Sequence, residues 1–150
     1  MKNLSKLLIA LLLTGTVLVS CKKDDEAKVL SITNIVAQNH NGGGTDVPRG
    51  GRISIDFTAT AGDDARLDYY HIELHDHPAS GKIEDEYRII DKSFKNVSTF
   101  KGLRNANVHE HIDVADTANL GEYHVVIVVV DEAGNSVDTE NGDTEIKVIE

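Results

Sequence analysis

A strict alternation of polar and apolar residues over residues 52–60 is the feature that most limits the fold of this chain. Successive side chains of a β-strand point to opposite faces, so the pattern puts Ile53, Ile55, Phe57 and Ala59 on one face. The opposite face is polar, as in a strand that packs on a core with one side and meets water with the other. The segment therefore predicts one strand of an antiparallel β-sandwich.

Similar short segments recur along the chain, separated by turn signals. The predicted strands are residues 29–36, 52–60, 69–77, 87–90, 96–100, 108–114, 125–130 and 144–149. The run at 125–130 is apolar on both faces, as expected of a central strand, and the run at 96–100 is the least regular. About seven short strands with frequent turns and no convincing helix after residue 20 indicate an all-β sandwich.

The end of the chain resembles a bacterial immunoglobulin-like domain. Residues 121–125 read Gly-Glu-Tyr-His-Val and stand where such domains carry a tyrosine corner on the penultimate strand. Residues 131–135 look like the hairpin turn that follows. Val125 occupies the place of a disulfide cysteine in antibody domains, so the resemblance is to the disulfide-free members. It implies an immunoglobulin-like antiparallel β-sandwich.

The first 21 residues have the order of a bacterial lipoprotein signal. Two lysines are followed by an apolar run over residues 7–19, which is too short to span a bilayer comfortably. Residues 18–21, Leu-Val-Ser-Cys, resemble a lipobox, whose cysteine is lipidated and becomes the mature N-terminus; the alternative is a secretory signal with an incidental cysteine. The predicted organisation is a signal peptide (1–20), a lipidated Cys21 with a charged tether (21–28) and one domain (29–150).

Residues 22–26 read Lys-Lys-Asp-Asp-Glu and resemble the signal that sends Bacteroidetes-type lipoproteins to the outer face of the outer membrane. The resemblance implies a membrane partner through lipid on Cys21, an outer-membrane location and display at the cell surface. A solvated charged tether is the alternative interpretation of the same residues.

Charge and cysteine content exclude several classes of protein. The formal net charge is −10, and no basic patch or set of stacking aromatic residues accompanies it, which argues against a nucleic-acid partner. The chain has one cysteine, Cys21, and the lipobox commits it to lipid. We therefore expect no disulfide, no thiolate metal site and no cysteine nucleophile.

Histidines gather on two of the predicted strands. In residues 69–77 the apolar side chains alternate toward the core, and the opposite face carries His71, Glu73, His75 and His77. Residues 108–114 repeat the arrangement with His109 and His111. Residues at i and i+2 of a strand lie roughly 6.5–7 Å apart on one face, so two imidazoles can reach one ion at about 2.0–2.1 Å per nitrogen. Glu110 alternates toward the core, where it needs a partner.

Two topologies give two different sites. If the strand at 108–114 returns beside the strand at 69–77, His75 and His77 meet His109 and His111, and four imidazoles converge. If the chain follows the usual immunoglobulin order, the later strand lies in the opposite sheet and its histidines point away. In that case His124 is the better partner, because Tyr123 faces inward and His124 outward.

The leading hypothesis is a non-enzymatic lipoprotein that captures or handles zinc or copper at the cell envelope. All-imidazole ligation without thiolate suits zinc, copper(II) or nickel, whereas calcium prefers oxygen. The candidate ligands are His75, His77, His109 and His111, with His71, Glu73 and His124 nearby.

Four other interpretations stay open. The histidines could be solvated residues on a wet strand face, and acidic residues of the 131–135 turn could bind calcium. A metal-dependent hydrolase would need an open coordination position and a general base, for which no spacing in the sequence speaks. An accessory module for a glycan, or for a receptor partner in an outer-membrane uptake complex, would use a sheet face or the long segment 79–107, and a sugar platform would have to rest on Tyr69 or Tyr87.

The whole pattern also resembles one family. The lipobox, the tether, the run Tyr-His-Ile-Glu-Leu-His-Asp-His at 70–77, the run His-Glu-His-Ile-Asp-Val at 109–114 and residues 121–135 are similar to the Bacteroidetes lipoproteins of domain of unknown function 4625. The resemblance implies a lipid-anchored immunoglobulin-like domain and no particular activity.

Overall fold

The computed structural model describes residues 28–150, so the signal peptide, Cys21 and nearly all of the predicted tether lie outside the described residues. The described part is almost entirely β-structure. Its strands are β1 (Ser31–Asn39), β2 (Asp46–Pro48), β3 (Arg52–Thr60), β4 (Leu67–Asp76), β5 (Arg88–Phe94), β6 (Asn105–Asp113), β7 (Gly121–Asp131), β8 (Ser136–Asp138) and β9 (Glu145–Ile149). A single 3-10 turn, Ile83–Asp85, precedes β5. Between residues 28 and 150 there is no helix of the length and apolarity needed to cross a membrane.

The strands form two facing sheets. One has the order β1-β3-β6, and the other has the order β2-β9-β7-β4-β5 with β8 beside β7. All pairs are antiparallel except β2 with β9, which is parallel. In immunoglobulin-like order, β1, β3 and β6 take the places of strands A, B and E, and β9, β7 and β4 those of G, F and C. The predicted immunoglobulin-like β-sandwich is confirmed, with seven strands of five or more residues and two of three residues.

The core lies between the sheets and follows the predicted alternation. Ile53 and Phe57 of β3 enter the core from one sheet, and Ile72 of β4 enters it from the other. All three are buried. Tyr70 is the centre of an aromatic group, with its ring 5.5 Å from that of Phe57 and 4.8 Å from those of Phe94 and Phe100. The apolar faces of both sheets therefore meet at Tyr70.

Glu110 finds the partner that its position requires. It lies on β6 and points toward the core, and the hydroxyl of Tyr70 on β4 donates a 2.6 Å hydrogen bond to its Oε1. Burial is the largest cause that raises the pKa of Tyr70. The hydrogen bond to Glu110 and the charge of that carboxylate raise it further. The bond joins one sheet to the other across the core.

The predicted corner and turn are both present. The Tyr123 hydroxyl donates a 2.9 Å hydrogen bond to the Asn119 carbonyl, as in a tyrosine corner, and burial raises the pKa of Tyr123 to about 12. Asp131 accepts hydrogen bonds from the backbone amides of Ala133 and Asn135 and from the Asn135 side chain, all at 2.9 Å. These bonds lower the pKa of Asp131 and occupy the carboxylate that a calcium site would use.

Several local details differ from the prediction. Residues 96–100 form a turn and not a strand, because Asn96 is left-handed (φ 61°) and the Phe100 amide bonds back to the Val97 carbonyl. The first strand starts two residues later than predicted and continues to Asn39. The short strands β2 and β8 were not predicted, since three residues are too few to produce a visible alternation.

Candidate metal centre

The two histidine pairs lie on different sheets. His75 is on β4 and His77 directly follows that strand, whereas His109 and His111 are on β6 of the three-stranded sheet. The structure therefore does not bring the four imidazoles together. It has the second topology, in which β7 pairs with β4 and His124 is the register partner of His75.

Three imidazoles gather at the shared end of β4 and β7. The ring centres of His75 and His77 are 5.5 Å apart, those of His75 and His124 are 5.7 Å apart, and those of His77 and His124 are 6.0 Å apart. Two imidazoles on one zinc ion, each with a metal–nitrogen bond of about 2.0–2.1 Å, would have ring centres roughly 5–5.5 Å apart. The three observed separations are therefore at or slightly above that spacing.

A carboxylate completes the group. Glu145 begins β9 and is the register partner of His124, and ligand atoms of His77, His124 and Glu145 lie within 4.8 Å of one another. Sequence reasoning did not include Glu145 among the candidate ligands. Its outward position in β9 could be predicted from alternation, but the pairing of β9 with β7 that carries it to His124 could not.

Two of these histidines are buried, whereas side chains on a solvated strand face would be exposed. His75 is 7% exposed and His124 6% exposed. The Nε2–H of His124 donates a 3.0 Å hydrogen bond to the Glu140 carbonyl, which leaves the lone pair of a neutral ring on Nδ1. His75 Nδ1 is buried and forms no hydrogen bond, although Glu73 Oε1 lies 3.2 Å away.

Glu73 and His71 have partners of their own on the same face of β4. The Arg88 guanidinium donates a 2.7 Å hydrogen bond to Glu73 Oε1. His71 contacts Ser93 Oγ through Nδ1 (3.0 Å) and Asp91 Oδ1 through Nε2 (3.2 Å). Glu73 therefore borders the centre through His75, and His71 lies further along β4 with both ring nitrogens already paired.

The other histidine pair has a third member that sequence reasoning did not include. The Nε2 atoms of His109 and His111 are 2.9 Å apart, and His109 Nδ1 is 2.6 Å from Asp56 Oδ1. The His40 ring stands edge-on to that of His111, with centres 4.1 Å apart. Partial loss of hydration, then the neighbouring His40 and His109, lower the pKa of His111. The lone His40 lies in a loop of the sequence, where no alternation indicated its direction.

The tyrosines that a glycan platform would need are engaged within the domain. Lys95 Nζ lies 5.3 Å from the centre of the Tyr69 ring. The Tyr87 ring packs edge-on against Tyr123 at 6.4 Å.

The sandwich is similar to parts of larger known structures. The alkylpurine DNA glycosylase AlkC of Pseudomonas fluorescens, bound to DNA containing an abasic site analog, aligns with a TM-score of 0.52 and 16% identity over 83% of this chain and 32% of its own. The sporulation control protein Spo0M of Bacillus subtilis aligns with a TM-score of 0.50 and 14% identity over 82% of this chain and 50% of its own. The chain thus spans about a third of the first protein and half of the second, and the likeness concerns the fold alone.

No curated protein matches the sequence significantly. Residues 19–149 match the family model described as Domain of unknown function (DUF4625), and the chain therefore belongs to this family.

Proposed function

We propose that this protein binds zinc or copper(II) at a centre formed by His75, His77, His124 and Glu145, and that it captures or handles the metal at the cell envelope. The observation that carries the proposal is the convergence of His77, His124 and Glu145, whose ligand atoms lie within 4.8 Å of one another at one end of the larger sheet. The His75 ring lies beside those of His77 and His124, with centres 5.5 and 5.7 Å away. Nitrogen and carboxylate ligands without thiolate suit these two metals.

The hydrogen bonds around the centre support ligation. A metal-binding histidine usually donates its other ring N–H to a carbonyl or carboxylate, which fixes the tautomer. His124 does so through Nε2 to the Glu140 carbonyl. His75 Nδ1 lies near the Glu73 carboxylate, so a small rotation of the ring would form the same kind of bond and leave Nε2 for the ion.

A binding role fits the centre better than catalysis. Glu73 is the carboxylate adjacent to His75, and hydrolysis at a bound metal would need such a group as a general base. Arg88 already pairs with Glu73, and it also pairs with Glu86 at 2.7 Å. We therefore propose that Glu73 orients His75 and takes no part in proton transfer.

We test the centre by titrating the purified protein with zinc in a calorimeter. Structural zinc sites with four ligands contribute about 10–16 kcal/mol in total, or roughly 3 kcal/mol per ligand, so His77→Ala should weaken zinc binding about 100-fold. His77 is exposed, so the variant should fold normally.

His71→Ala is the matched control, because it removes an imidazole from the same face of β4 outside the centre. Its zinc affinity should equal that of the wild type. Absence of binding heat and of a shift in Tm with the wild-type protein would refute the proposal, as would equal affinity for wild type and His77→Ala.

We further propose that lipid on Cys21 anchors the protein in the outer membrane, with the domain at the cell surface. The supporting observation is the lipobox-like run at residues 18–21 followed by lysines and acidic residues. Cys21→Ser should move the protein from the membrane fraction to the soluble fraction, and added protease should degrade the wild-type domain on intact cells. Retention of Cys21→Ser in the membrane would rule out this anchor.

A further inference from the structure

A second histidine group lies on the opposite side of the sandwich. β6 is an outer strand of the three-stranded sheet, and its alternation puts Val108 and Ile112 in the core and His109 and His111 on the outer face. The His109 side chain is 54% exposed. This group shares no residue with the centre at His77 and His124.

The contacts of His109 define which nitrogen can bind a metal. His109 and Asp56 are register partners on β6 and β3, and the Asp56 carboxylate lies 2.6 Å from Nδ1. Because a carboxylate accepts, Nδ1 carries a proton, and the lone pair of the neutral ring is on Nε2. A histidine that binds a metal through one ring nitrogen usually donates its other N–H to a carboxylate or a carbonyl.

The two rings lie close enough for chelation. Their Nε2 atoms are 2.9 Å apart, the length of a hydrogen bond in which one Nε2–H donates to the other Nε2. Loss of that shared proton would leave two nitrogen lone pairs within reach of one ion at about 2.0–2.1 Å from each. Imidazole ligands suit copper(II) as well as zinc and nickel.

A third imidazole lies beside the pair. The His40 amide donates to the Arg52 carbonyl, which holds His40 beside β3, and its ring stands 4.1 Å from that of His111. His40 also lines a cleft of about 240 Å³ together with Gly51 and Arg52. The charge of Arg52 is balanced by Asp113, 2.6 Å away.

We propose that His109 and His111, with Asp56 behind His109, form a second site for a divalent transition metal such as copper(II), on the outer face of the three-stranded sheet. The pair supplies two nitrogen ligands, and the exposure of His109 leaves further coordination positions to water. This site is independent of the zinc or copper centre proposed on the other sheet.

The test uses His77→Ala as the background, so that the first centre no longer binds tightly. Addition of copper sulfate should give an axial electron paramagnetic resonance spectrum with coupling to nitrogen. Adding His109→Ala should weaken copper binding about 100-fold, by the loss of one ligand. Asp56→Asn, which keeps all imidazoles, should weaken it about 10–100-fold.

Both variants change exposed or half-exposed residues, and an unchanged Tm without metal would establish that they fold. A nitrogen-coupled signal that persists with equal affinity in the His109→Ala variant would overturn the proposal, as would the absence of copper binding in the His77→Ala background. Wild-type zinc binding that is unchanged by His109→Ala would support the independence of the two sites. Loss of zinc binding in that variant would contradict it.

Discussion

Tyr70→Ala is expected to lower the free energy of unfolding by about 3–5 kcal/mol, the usual cost of removing a large aromatic side chain from a core. The Tyr70 ring touches aromatic residues from both sheets and from the turn before β6: Phe57, Phe94 and Phe100. The substitution would leave a cavity where the Tyr70 ring now packs against these aromatic rings between the two sheets. Because small domains are stable by only about 5–15 kcal/mol, the variant should retain little stability.

Tyr70→Phe isolates the contribution of the hydroxyl. The ring contacts remain, but the core-facing Glu110 loses the donor that lies 2.6 Å away. Leaving a partly buried acceptor without its partner costs about 1–3 kcal/mol. Adding Glu110→Leu should recover much of that loss, since replacement of both partners by apolar groups is often nearly neutral.

Urea unfolding followed by circular dichroism would measure the series. The expected order of stability is wild type, then Tyr70→Phe/Glu110→Leu, then Tyr70→Phe, then Tyr70→Ala. Equal losses for Tyr70→Phe and Tyr70→Ala would mean that the hydroxyl bond, and not the aromatic packing, accounts for the role of Tyr70.

Alternation predicted the faces of the strands well. Residues 52–60 coincide with β3, and the core positions of β3 and β4 are those predicted. Alternation also predicted that Glu110 points inward, and the structure supplies Tyr70 as its partner. These features depend on the two-residue period alone, which a single strand already contains.

The composition of each histidine group could not be predicted in the same way. Alternation indicates which residues face away from the core, but it carries no information on which sheet a strand joins. Because β6 lies in the three-stranded sheet, His109 and His111 are separate from His75 and His77. Because β9 pairs with β7 in the observed register, Glu145 lies beside His124.

Burial at the centre also depends on the pairing of strands. The sequence predicts His75 on a wet face, yet its side chain is only 7% exposed. Its ring lies beside those of His77 and His124, with centres 5.5 and 5.7 Å away. His124 comes from β7, and the sequence of β4 contains no signal for that pairing.

The double variant His75→Leu/His77→Ala is expected to bind zinc about 10,000-fold more weakly, at roughly 3 kcal/mol for each of two ligands. The metal-free protein should nevertheless be at least as stable as the wild type. His75 Nδ1 is buried without a hydrogen bond, and an unsatisfied buried polar atom costs about 1–3 kcal/mol. Leucine removes that atom and keeps most of the packing volume, while His77 is exposed.

Thermal unfolding with and without zinc would measure both effects. At a free zinc concentration 100 times the wild-type Kd, the wild-type fold gains about 2.7 kcal/mol, whereas a protein with 10,000-fold weaker binding gains almost nothing. The zinc-dependent rise in Tm should therefore disappear in the double variant while its metal-free Tm is equal or higher. A structural role for His75 predicts the opposite, namely a lower metal-free Tm with the zinc effect intact, because a histidine retained for packing alone would stabilise the metal-free fold.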